Sequence, residues 1–325
     1  FTILAVIDNK NSTTTVDVTV LPNAAIVAST DVSICPGTTA TISATGGVLY
    51  NWNNGLGVGD NHTVSPAVTT TYTVDGEDAN GCLGSDVVTV TVYPDPTASI
   101  TGTTAVCLND AAPSLTLSGS VGVAPYDFTY TINGGASQTE TSNGTGQATL
   151  TVPTGTSGVF DYELTGVEDA NGCTTSLSQT ATVTVHALPT ITAADVSVCQ
   201  NGTVNITANG AINYNWSPGT NLSGTTGAMV IFTSGTSTTY TVTGEDVNNC
   251  VNSTTIDVTV LPNAAIVSSA DVSICPGTST TISATGGVLY NWDNGLGTGA
   301  SHTVSPLATT TYTVNGEDAN GCLGS

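Results

Sequence analysis

Residues 70–93 read Thr-Thr-Tyr-Thr-Val-Asp-Gly-Glu-Asp-Ala-Asn-Gly-Cys-Leu-Gly-Ser-Asp-Val-Val-Thr-Val-Thr-Val-Tyr. Two alternating Thr/Val segments flank Asn80-Gly81. Residues branched at Cβ favour extended chain because their χ1 is stiff. Asn-Gly accepts positive φ and marks a hairpin between them. Pro94 follows at once, and proline cannot donate to a ladder, so the second strand ends there.

The same grammar extends backward. Ala24–Val27 and Val32–Ile34 are apolar runs, and Thr39–Ala44 alternates with Ala40, Ile42 and Ala44 on one face. Val48–Trp52 is aromatic, and His62–Ser65 alternates again. Breakers separate the runs: Pro36-Gly37, Gly46-Gly47, Asn54-Gly55 and Ser65-Pro66. Short strands at this spacing predict an all-β sandwich with essentially no helix.

Repeats multiply that sandwich. Asn11–Ser85 recurs at Val251–Ser325, 240 positions on, with about 60 of 75 positions identical. Thr/Val strands ending in proline close shorter units at Pro22, Pro94, Pro189 and Pro262. The boundaries follow. Residues 1–21 are the C-terminal strands of a preceding unit, 22–93 a full unit, and 94–188 a longer unit. Residues 189–261 are another full unit, and 262–325 a unit lacking its last strand. Units of this size match small immunoglobulin-like sandwiches, near the lower limit for a stable core. The chain reads as a window cut from a longer protein. A strand such as Thr13–Leu21 could also complete the last sandwich of a neighbouring copy, but one continuous chain is the simpler account.

Eight cysteines fall two per unit: Cys35 and Cys82, Cys107 and Cys173, Cys199 and Cys250, Cys275 and Cys322. An even count in register across repeats predicts disulfides in an oxidising compartment. Closely spaced cysteine pairs, as structural zinc requires, do not occur. Pairing within each unit is the simplest connectivity. An immunoglobulin-like topology puts the two cysteines toward opposite ends, however, so bonds between neighbouring units, for example Cys35 to Cys173, stand as the alternative.

Catalytic groups are scarce. The chain has one Lys (Lys10), no Arg, three His and 24 acidic residues, for a formal charge of −23. Binding nucleic acid or an anionic membrane needs cations, so both are excluded as partners. No apolar run approaches the ~20 residues of a membrane span. His62 and His302 occupy one repeat position, which points to packing, and the chain reads as a non-enzyme. Trp52, Trp216 and Trp292 also share a position and read as core tryptophans, with a sugar-stacking platform as the alternative. Four acidic hairpins carry Glu77-Asp78, Glu168-Asp169, Glu245-Asp246 and Glu317-Asp318. They read as polar turns, with Ca²⁺ binding as the alternative and no other cofactor expected.

Tyr-Asn-Trp, then Thr-Val-Ser-Pro, then Thr-Thr-Thr-Tyr-Thr-Val, then Asp-Ala-Asn-Gly-Cys resembles the immunoglobulin-like and PKD-like repeats of giant Bacteroidota surface proteins. The gliding-motility adhesins of the SprB type are among them. Val123-Ala124-Pro125-Tyr126 resembles the "GG-x-PY" element of their PKD-like repeats. The resemblance implies export by a type IX-like system and a place at the cell surface, as adhesin, stalk or filament. Its partners would be neighbouring domains, other copies in a filament, and surface polysaccharide. A carbohydrate-binding array, or an accessory region of a large secreted enzyme, is the competing expectation.

Overall fold

The computed structural model describes residues 2–7, 10–233 and 235–325, with backbone alone for 2–7 and 10–14. Every regular element among them is a β-strand, so the chain is all-β, as expected. By contact it forms two compact units. One comprises Phe1–Thr104, Ala112–Pro153 and Val159–Val183; the other comprises Ala105–Ala111, Thr154–Gly158 and Thr184–Ser325.

In the first unit, a three-stranded sheet of Val27–Ala28, Ala40–Thr45 and Asn61–Val64 faces a five-stranded one. The larger sheet runs in the order Val32–Ile34, Leu83–Val92, Thr70–Glu77, Leu49–Trp52 and Gly57–Val58. Alternation decides which side chains go inward: Ala40, Ile42 and Ala44 are buried and Thr41 is not. They meet Trp52, Val74, Val88 and Val90 from the facing sheet. Val32–Ile34 lies parallel to Leu83–Val92, with Val32 opposite Val90 and Ile34 opposite Val92. A parallel pair cannot be joined by a tight hairpin, and these two are the first and last strands of the sheet in chain order.

The same unit holds strands of a second sandwich. Thr97–Thr101, Ser114–Ser120 and Gln147–Thr151 form one sheet. In the other, Asp127–Ile132 pairs with Gln138–Thr141 on one side and Gly158–Glu168 on the other. Its central strands are long: Gly158–Glu168 has 11 residues and Thr174–His186 has 13.

In the second unit, Val251–Leu261 lies between Thr238–Glu245, antiparallel, and Val196–Cys199, parallel. Ile206, Trp216, Phe232, Tyr240 and Val242 form the core with Ile256 and Val258 of that strand. The following sandwich has Val267–Ser268, Thr280–Thr285 and Ser301–Val304 in one sheet, and Gly297–Thr298, Leu289–Trp292, Val314–Glu317 and Leu323–Gly324 in the other.

In this last sandwich the residues matching Thr70–Glu77 form strand only over Val314–Glu317, because residues 310–313 lack the pairing that Val87–Val90 gives Thr70–Thr73. Ile274 is 36% exposed, against 8% for its counterpart Ile34. The opposite end of the chain carries a strand-like segment without a sheet. Lys10–Thr15 pairs with Thr2–Ile7, but residues 16–21 form no strand, and Val16, Val18, Val20 and Leu21 are exposed. The expectation that Thr13–Leu21 is a strand therefore holds only to Thr15, since β structure needs a partner beyond it.

Candidate functional site

The acidic hairpins carry the most organised polar chemistry. Asp78 Oδ1 accepts the backbone N–H groups of Asn80 at 2.8 Å and Cys82 at 2.9 Å. Asp169 does the same for Asn171 and Cys173, Asp246 for Asn248 and Cys250, and Asp318 for Asn320 and Cys322, all at 2.8–3.0 Å. Gly81 N–H closes the turn onto Asp78 O at 3.0 Å. The expected pair of left-handed residues is not what forms. Gly81 (φ 84°) is left-handed and Asn80 is not, because the Asp78 carboxylate already fixes the first half of the turn. Asn249 (φ 63°) takes the glycine position in the third hairpin.

These bonds set the acidities. The N–H groups of Cys82 and then Asn80 hold Asp78 below the ordinary carboxylate value, and Cys322 N–H does so for Asp318. Asp169 is buried, which alone would raise it. The N–H groups of Cys173, Val123 and Asn171 outweigh that and lower it. Among the described residues, no three His, Cys, Asp or Glu side chains gather as metal ligands. Of the companion glutamates, Glu245 accepts from Asn213 Nδ2 at 3.1 Å. Glu77 and Glu317 are half-buried, and Glu168 is exposed. What the aspartates do here is hold the cysteine that ends each turn.

The cysteines depart from the simplest expectation. Cys35 is bonded to Cys173, Cys107 to Cys250 and Cys199 to Cys322, with Cα atoms 5.4, 5.5 and 5.4 Å apart. In each bond the first cysteine of one repeat meets the second cysteine of the next, so pairing within a unit is corrected to pairing between units. Strand register supplies the reason. Cys35 follows Ile34, which lies opposite Val92, whereas Cys82 precedes Leu83 at the other end of that ten-residue strand. At ~3.3 Å per residue the two cysteines of one sandwich stand roughly 30 Å apart, far beyond a disulfide's reach. Cys82 and Cys275 are free.

The tryptophans are interior. Trp52, Trp216 and Trp292 are buried, and each indole N–H donates to a glycine carbonyl: Gly59, Gly227 and Gly299, at 2.9–3.0 Å. His62 and His302 meet Trp52 and Trp292 edge-on, with ring centroids 6.3 and 6.2 Å apart. No apolar ring platform is left on the surface by these three residues.

A groove of ≈ 680 Å³ opens in the last sandwich, lined by Asp271, Val272, Ile274, Ile282, Trp292 and Tyr312 among others.

These features are those of immunoglobulin-like sandwiches in series. Several solved structures show limited similarity to this chain. A three-domain titin fragment, I67–I69 in an E-to-A variant, has a TM-score of 0.44 at 14% identity, covering 74% of this chain and 100% of that one. A structure concerning a 1.5-MDa bacterial ice-binding adhesin has a TM-score of 0.36 at 15% identity, covering 74% and 99%. The four N-terminal immunoglobulin domains of a Dscam1 isoform have a TM-score of 0.26 at 12% identity, covering 89% and 94%. No protein-family model and no curated protein sequence matches the chain.

Proposed function

We propose that this chain is a structural repeat region of an extracellular adhesin, a stalk or filament shaft whose successive sandwiches are bolted together by disulfides. The observation that carries it is the connectivity. Three bonds link repeat to repeat, and an oxidising compartment is where such bonds persist. A bond between modules contributes nothing to a binding pocket, but it limits how far a loaded array can extend. The shortest covalent path from Pro22 to Ser325 runs through Cys35–Cys173 and Cys199–Cys322, along about 45 residues of backbone rather than about 300. The surface suits the outside of a cell: with a formal charge of −23 and mostly Thr, Ser, Asn and Gly as its polar residues, it resists self-association and stays hydrated.

The resemblance to Bacteroidota surface repeats extends the reading to export by a type IX-like system and to surface attachment, gliding included. Electron microscopy of the oxidised chain and of versions with added repeats tests the core proposal. Rods that lengthen in proportion to repeat number are expected; a compact globule of constant diameter would overturn it.

A further inference from the structure

We infer that the disulfides make the chain tolerant of proteolytic nicking: between Cys35 and Cys322, a single cut in the backbone leaves one covalent molecule. This holds whatever the array adheres to, because it rests on connectivity and exposure alone.

Connectivity comes first. The bonds Cys35–Cys173, Cys107–Cys250 and Cys199–Cys322 do not close separate loops. They interleave, since Cys107 lies inside the loop that Cys173 closes and Cys199 inside the loop that Cys250 closes. Residues 108–172 are therefore spanned by two bonds, and so are residues 200–249. The stretch between them, residues 174–198, is spanned by Cys107–Cys250 alone. Hydrolysis adds one water across a peptide bond and leaves a carboxylate and an ammonium group; no sulfur takes part. A cut after Ala136 leaves Cys35 and Cys107 on one fragment and Cys173 and Cys250 on the other, joined twice over. The cut ends cannot diffuse apart. Strand pairs such as Asp127–Ile132 with Gly158–Glu168 then persist at the high effective concentration of an intramolecular contact.

Exposure follows the same division. Nicking concentrates at exposed loop tips, where the chain is free to extend into a protease. Between Cys107 and Cys173 such tips are residues 133–137, 143–145 and 155–157, all exposed and outside any strand. Between Cys199 and Cys250 they are residues 218–220, 223–225 and 247–249. The singly spanned stretch offers less. Thr174–His186 is a strand with a neighbour on each side, and Thr192–Ala193 and Val196–Cys199 are strands too. Of residues 187–191, which lie outside strands, Pro189 and Ile191 are buried, and Pro189 O accepts from Asn252 Nδ2 at 2.9 Å. The stretches most open to cutting are thus the ones with a spare bond.

Composition narrows the attackers. A trypsin-class protease needs a cationic side chain, and the chain has one Lys, Lys10, and no Arg. What remains are proteases that read apolar or acidic residues. Val247, 78% exposed in the third acidic hairpin, is the kind of site they take, and two bonds span it.

A recognition sequence for a site-specific protease, inserted in the whole chain between Ala136 and Ser137, between Gly224 and Thr225, or between Ala187 and Leu188, tests this. Free thiols are blocked before the cut chain is denatured. Without reductant the parent is expected to migrate as one species after cutting at any of the three sites, and with reductant as two fragments. With Cys107→Ser and Cys250→Ser together, cuts at the first two sites are expected to leave the chain joined through the remaining bond, and a cut at the third to part it. In force spectroscopy the oxidised parent is expected to keep its extension after a cut at either of the first two sites. The shortest covalent path runs from Cys173 to Cys199 and crosses neither. A parent that parts without reductant at any site, a double variant that stays joined at the third, or a nicked parent that extends further under load would each overturn the inference.

Discussion

Asp169 accepts the backbone N–H of Cys173 at 3.0 Å, and Cys173 is the residue bonded to Cys35 of the preceding repeat. The acid that looks like a ligand in the sequence therefore acts as a brace behind a disulfide. Its second oxygen takes the N–H of Val123 at 3.0 Å, which ties a separate loop to the same turn.

Asp169→Ala should destabilise the protein by about 1–3 kcal/mol, because buried N–H donors lose their acceptor. Asp169→Asn, which keeps one carbonyl oxygen, should cost less. Urea unfolding of the two variants against the parent checks the order. Equal losses would show that the hydrogen bonds are not the source.

Acid should act through the same turns. Asp78, Asp169 and Asp318 have folded-state pKa values below the ordinary carboxylate value. A depressed folded pKa stabilises above the unfolded pKa of about 3.9, and that contribution is lost as pH falls through the folded value. Unfolding midpoints should be flat from neutral pH down to about 5 and drop below about 4. The drop should be shallower in Asp169→Ala. Calcium should leave the midpoint at neutral pH unchanged, since each aspartate oxygen that faces its turn is already occupied by N–H donors.

Cys173→Ser should cost about 2–5 kcal/mol, since the bond to Cys35 closes a loop of sequence separation 138. Cys82→Ser should leave the stability of the isolated chain unchanged, because Cys82 is free. Proteolysis without reductant should release peptides joining Cys35 to Cys173, and none joining Cys35 to Cys82. The latter linkage would refute the register described above.

Pulled end to end, the oxidised chain should extend to roughly 150 Å between Pro22 and Ser325, and to roughly 1,000 Å after reduction, at ~3.4 Å per residue. Single-molecule force spectroscopy with and without reductant reads the difference. Equal contour lengths would remove the mechanical argument for the stalk.

Trp216→Ala should destabilise by about 3–5 kcal/mol, as expected for emptying a large core site. In the intact protein, acrylamide should quench tryptophan emission weakly, and soluble oligosaccharides should leave it unshifted. Strong quenching, or a saccharide-dependent shift, would restore the surface-platform reading.

Much of this protein was open to reading from residues alone. Alternation around Ile42 and Val88, the hairpin at Asn80-Gly81 and the proline-ended strands specify sandwiches, because side-chain period and backbone freedom are local properties. Recurrence at 240 positions set the tandem order and put the cysteines, tryptophans and acidic turns in register. The partner of Cys35 was not local information. It follows from Val32–Ile34 lying parallel against the far end of Leu83–Val92, which separates Cys35 from Cys82 by the length of a strand. The work of Asp78 and its counterparts was hidden for the same reason: a carboxylate beside a turn can meet a cation or its own backbone, and three-dimensional geometry selects the backbone.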